Sequence, residues 1–176
     1  MRTLFISLIR PILEYGCEVW SPHKVKDILQ IEQLQRNFTS RIWNLEESDY
    51  WERLTKLGLE SLQRRREKIT ILHIWKIKNN IYPNSIDIKF KQERRTQADK
   101  AVIRPLPRVH QKLLTKFDES FIIRSGRLWN KIPPELSRLT NYNEFKTKLN
   151  QFLSKIPDKP PIPGYPFANH NSVLDV

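Results

Sequence analysis

The sequence predicts a mainly α-helical protein: a small helical bundle, a long basic irregular segment within it, and a proline-rich C-terminal tail. Three observations lead there. Apolar residues recur at helical spacing in several separate windows. Between about 83 and 119 the chain turns polar, basic and weakly periodic, with Pro105 and Pro107 blocking regular helix. Five of the twelve prolines crowd into 157–166, which predicts an extended tail without a core of its own.

The elements follow in order. Residues 2–15 are apolar on nearly every side of a helical wheel, so this helix needs cover all round, as in a chain cut from a larger protein. Ser21-Pro22 reads as an N-cap and first turn for a helix over about 23–44, with Ile31, Leu34, Phe38 and Ile42 as its apolar stripe. Ser48 is placed to cap a short helix carrying Tyr50, Trp51, Leu54 and Leu57, which Gly58 stops. Over 60–81, Ile69, Ile71, Trp75 and Ile77 alternate as in a strand. The run continues from helix formers without a turn signal, so it reads as one long helix, basic at its start and ended by Pro83. FIIRSGRLWNK reads as a helix stopping before Pro133-Pro134. The last helix, about 141–156, has Phe145, Leu149, Phe152, Leu153 and Ile156 on one face.

Composition narrows the function. Hydrophobic content of 39% and charged content of 28% fit a globular chain and exclude a disordered one. A net charge of +12 points to a polyanionic partner. Residues 61–131 hold 18 Lys+Arg against 6 Asp+Glu, while the rest holds 13 of each, so the excess sits in one middle segment. A single cysteine, Cys17, excludes an internal disulfide and a cysteine-based zinc site, and reads as a small buried residue. No uncharged run approaches the ~20 residues of a membrane span, and no cleavable leader follows the apolar start. The expected setting is intracellular, a nuclear or cytoplasmic ribonucleoprotein, without a membrane or small-molecule substrate.

The candidate phosphate-contacting residues are Arg64, Arg65, Arg66, Lys68, Arg94, Arg95, Arg104, Arg108, Lys112, Arg124, Arg127 and Lys131. Arginine suits phosphate because its planar fork matches two oxygens, and such contacts position nucleic acid without reading its sequence. For the run at 64–68 taken alone, a solvated helix face is the better explanation of the charge; the further cations from Arg94 to Lys131 turn the reading toward phosphate contact. The five tryptophans read as core anchors, with Trp129 expected against Leu128 and Ile132. The four histidines show no ligand spacing, the Asn37-Phe38-Thr39 sequon lies within a helix, and no nucleophile motif or phosphate loop is present.

Three ordered stretches resemble one known family. They are SLIRPILEYGCEVWSPH (7–23) with IEQLQRNFTSRI (31–42), ERLTKLGLESLQRRREKITILHIWKIKNNI (52–81), and FIIRSGRLWNKIPPEL (121–136) with NEFKTKLNQFL (143–153). Together they resemble the region downstream of the polymerase palm in jockey-like LINE (non-LTR) retrotransposon reverse transcriptases, over roughly residues 4–155. The resemblance implies a thumb-like helical region, placed at 1–82, and C-terminal helices, placed at 120–156; composition and the prolines give the basic loop or short strands at 83–119 between them and the extended tail at 157–176. It implies a grip on RNA or an RNA–DNA hybrid, without catalysis. The family's polymerase site needs adjacent aspartates holding Mg²⁺ in the palm, and no two of the seven aspartates here are neighbours. No cofactor is therefore expected in this chain. A second reading stays open, that of a helical interaction module packing against such a palm.

Overall fold

A computed structural model describes residues 2–22, 24–42, 45, 47–83, 88–103, 120–164 and 172–173. Among them the protein is mainly helical, with a single two-stranded hairpin. The chain divides into two compact units, Met1–Glu67 with Ile156–Asp175, and Lys68–Lys155. The division falls inside a helix, so the segments expected at 1–82, 83–119, 120–156 and 157–176 do not coincide with the units.

The first unit begins with α1 (Arg2–Leu4), a π-helical turn (Phe5–Ile9) and α2 (Arg10–Glu14). Pro11 explains the wide turn. It lacks an N–H and crowds the carbonyl four residues earlier, so the Arg10 N–H reaches back five residues to Phe5. Phe5 is buried and stacks on Phe38 at 4.7 Å. Within this chain the cover is partial: Leu4, Leu8 and Ile12 are 57%, 62% and 76% exposed. Helix α3 (Cys17–Trp20) follows, with Cys17 buried as expected. Ser21 closes α3 instead of opening the next helix, and α4 (Val25–Thr39) starts without a side-chain cap.

Helix α4 turns an unexpected face inward. Its buried residues are Ile28, Glu32, Gln35 and Thr39, while Leu34 of the expected stripe is exposed. Helix α5 (Tyr50–Leu57) is capped by Asp49, not Ser48, through a 2.7 Å bond from the Glu52 N–H. Gly58 ends it at φ +58°, with the Leu59 and Gly58 N–H groups donating to Leu54 and Thr55. Tyr50, Leu54 and Leu59 form a small apolar core edged by Ile6, Trp51, Leu57 and Ile162. The described part of the tail is not free. The Trp51 indole donates to the Pro160 carbonyl at 2.9 Å, and Pro160 and Pro161 are buried.

Helix α6 (Leu62–Lys78) is continuous, so helix propensity and tertiary context prevail over the strand-like alternation. It ends before Pro83. Asn80 adopts φ +56° and the Ile81 N–H closes on the Lys76 carbonyl.

The second unit holds β1 (Phe90–Gln92) and β2 (Asp99–Ala101), an antiparallel pair, then α7 (Phe121–Lys131), α8 (Pro134–Ser137) and α9 (Tyr142–Leu153). Its core is aromatic. Phe145 stacks on Trp75 at 5.4 Å and lies 6.0 Å from Trp129, which meets Phe90 edge-on at 5.9 Å. Trp129 is thus core as expected, with Phe90 and Phe145 as ring partners. Both indoles are satisfied, Trp75 donating to Leu139 O and Trp129 to Asp99 O. Helix α7 lies close on β2: a Cβ at Gly126 would sit 3.2 Å from Ile103. Asn130 locks the contact by bonding both the N–H and the C=O of Ala101. Asn141 caps α9, whose buried face is Phe145, Leu149 and Leu153.

Candidate nucleic-acid interface

The densest basic run in the sequence is built into the first unit, not onto its surface. Ser61 caps α6 by accepting from the Arg64 N–H, and its own N–H donates to Asp158 at 2.7 Å. The Gln63 N–H donates to Glu32 at 2.7 Å, and the other oxygen of Glu32 accepts from the Tyr50 hydroxyl. Gln35 bridges that hydroxyl and the Glu60 carbonyl. The start of α6 is therefore buried against two carboxylates that satisfy its orphan N–H groups.

That burial takes the arginines inward. Arg64 is 2% exposed and donates to the Pro157 carbonyl at 3.0 Å; Arg66 is 1% exposed, with Trp20 6.0 Å from its guanidinium. Arg65 grips both oxygens of Glu14 and reaches Glu60 at 3.3 Å. The expectation that Arg64 and Arg66 face a phosphate backbone is corrected here, since neither guanidinium reaches solvent, and Arg65 is committed to carboxylates.

The electrostatics agree with an interior arrangement. Burial pushes Glu32 up to about 7, against the Tyr50 hydrogen bond and the Arg66 charge. Burial likewise pushes Glu67 up to about 7, against hydrogen bonds from Ser172 and Val173 and the charge of Arg64. Asp158 is also raised by burial, and Arg66 is lowered by it.

The remaining candidates lie in the second unit. Arg94 and Arg95 are exposed in the β1–β2 turn. Arg127 and Lys131 are exposed on α7, and Arg124, half-buried, shares their helical row. Lys68 is half-buried on α6. Arg104, Arg108 and Lys112 lie outside the described residues.

The structure adds cations that sequence spacing did not single out. Lys89 and Lys91 are exposed on the β1 side of the hairpin, and Lys91 sits directly opposite Lys100. Like charges facing across strands disfavour the pair unless something anionic lies over them. Lys100 also donates to the Asn130 carbonyl at 2.6 Å, beside Lys131. The hairpin thus sets Lys91 across from Lys100, whose ammonium reaches the last turn of α7 next to the backbone of Lys131. Only strand register reveals this, and the hairpin has no strong alternation to announce it.

The charge divides cleanly. Residues 68–155 contain 19 Lys+Arg and 7 Asp+Glu, net +12, whereas the first unit contains 12 of each, net zero. Among the described residues no group of three His, Cys, Asp or Glu is placed to hold a metal ion, and no helix is long and apolar enough to cross a membrane. Searches against family models, curated proteins and solved structures give no match to this chain.

Proposed function

We propose that the chain binds RNA or an RNA–DNA hybrid through its phosphate backbone, with Lys68–Lys155 as the binding body and without catalysis. One observation carries this reading. The entire net charge of +12 belongs to that unit, whose hairpin and α7 hold Lys91, Arg94, Arg95, Arg127 and Lys131 exposed. The ordered resemblance to LINE-type reverse transcriptases supports RNA as the polyanion and the palm-distal end of such a polymerase as the origin.

Anisotropy titrations of labelled RNA and RNA–DNA hybrid test it. If ~6 phosphates are neutralised, affinity falls on the order of 10³-fold between 50 and 200 mM salt. Replacing Lys91, Arg94 and Arg95 together by Gln lowers the log–log salt slope by about 2–3 and leaves the helical signal unchanged. A flat salt response, or no complex at low salt, rejects the reading.

A second reading has its own support. Leu4, Leu8, Ile12, Tyr15 and Val19 are exposed on the first unit, which favours a module that packs against a polymerase palm. Self-association that Leu8→Glu and Ile12→Glu abolish, in a chain indifferent to RNA, would favour this alternative.

A further inference from the structure

The reverse turn after α6 creates a feature that phosphate binding leaves unused. Because Asn80 takes the left-handed conformation, the chain folds back and sets Tyr82 over the helix it has just left. The Tyr82 ring lies 5.3 Å from His73, which meets Phe121 edge-on at 5.7 Å. The Lys76 ammonium sits 4.8 Å from the Tyr82 ring centre and 5.4 Å from that of Tyr142, and donates to the Tyr82 hydroxyl at 3.0 Å. Tyr142 is backed by the buried Trp75, 5.4 Å away. Tyr82 is 39% exposed and Ile81 is 54% exposed beside it.

We infer that His73, Tyr82 and Tyr142, with Lys76 among them, form a stacking platform for unpaired nucleobases of a single strand. The inference rests on the nucleic-acid reading above and specifies which form of nucleic acid this surface takes. An apolar protein partner would have to bury the Lys76 ammonium, at a cost. A nucleobase offers a flat π face to Tyr82 while its phosphate meets that ammonium, within a unit of net charge +12. A duplex keeps its bases stacked on one another and presents no face to these rings.

The test uses the full chain and two labelled probes, a twelve-nucleotide oligouridine and a twelve-base-pair RNA duplex. Tyr82→Leu keeps apolar bulk but removes the π face; Tyr82→Phe keeps the face and removes the hydroxyl. The expected result is roughly a tenfold loss of oligouridine affinity in Tyr82→Leu, little change in Tyr82→Phe, and duplex affinity and salt slope unaltered in both. Equal loss on both probes, or wild-type oligouridine binding by Tyr82→Leu, overturns the platform and leaves phosphate binding standing. If neither probe binds the wild-type chain at 50 mM salt, both proposals fail together.

Discussion

The two units use the same kinds of charged residue in opposite ways. In the first, Arg64 and Arg66 are interior groups lying among Glu32, Glu67 and Asp158, and the unit is electrically neutral. In the second, the interior is Trp75, Trp129, Phe145 and aliphatic side chains, and cations such as Lys91, Arg94, Arg95, Arg127 and Lys131 lie outside. Density of arginine along a sequence therefore does not locate a basic surface. What locates it is the balance of charge within each folded body, and whether acids from distant segments come to meet the base.

The largest test of this contrast is the run at 64–66. From sequence alone, Gln at all three positions would flatten the salt slope and spare the fold. The structure reverses that expectation. Removing the cations leaves the buried Glu32 and Glu67 and the half-buried Glu14 and Asp158 without them, and breaking one buried pair costs about 3–5 kcal/mol. The triple variant should lose the first unit's cooperative unfolding in urea, a loss on the scale of the whole stability of a small domain. A native-like unfolding curve would break the comparison.

A second test uses pH. Glu32 and Glu67 stand near 7 when folded and near the ordinary 4.5 when unfolded, both raised by burial. The unfolded chain therefore releases these protons first. Their contribution to stability is complete below about pH 4.5 and is lost as pH rises through about 7. The unfolding free energy from urea melts should fall across that window, by on the order of 3 kcal/mol for each carboxyl, and Glu32→Gln with Glu67→Gln should flatten the trend.

The smallest test concerns a cap. Asp49→Ala should cost about 1 kcal/mol in thermal or urea melts because its carboxylate accepts the Glu52 N–H, and Ser48→Ala should cost less. Equal losses would restore Ser48 as the helix start.

What the sequence made legible is what local chemistry controls. Gly58 and Pro133-Pro134 ended their helices where expected, and Phe145, Leu149 and Leu153 formed the buried face of α9. The mainly helical architecture followed from such signals. The face of α4 was misread because Glu32 and Gln35 are buried by partners 31 and 25 residues away, Gln63 and Glu60. No helical wheel contains that information. The arginines were misplaced for the same reason. Within the candidate interface, the cations of α7 and the hairpin turn were visible in the sequence, but the placing of Lys91 across from Lys100, and of Lys100 against the last turn of α7, depends on strand register and one side-chain bond.

The tail has a consequence for biosynthesis. Ser61 meets Asp158 across 97 residues and Trp51 meets Pro160 across 109, so the neutral unit is assembled from both sides of the cationic one. A ribosome adding about 5–20 residues per second needs roughly 5–20 seconds between releasing α6 and delivering its clasp. During that interval the nascent chain carries the carboxylates and arginines of an unfinished core, exposed to chaperones. The first unit's contacts with Asp158 and Pro160 therefore form only after the whole of Lys68–Lys155 has been synthesised.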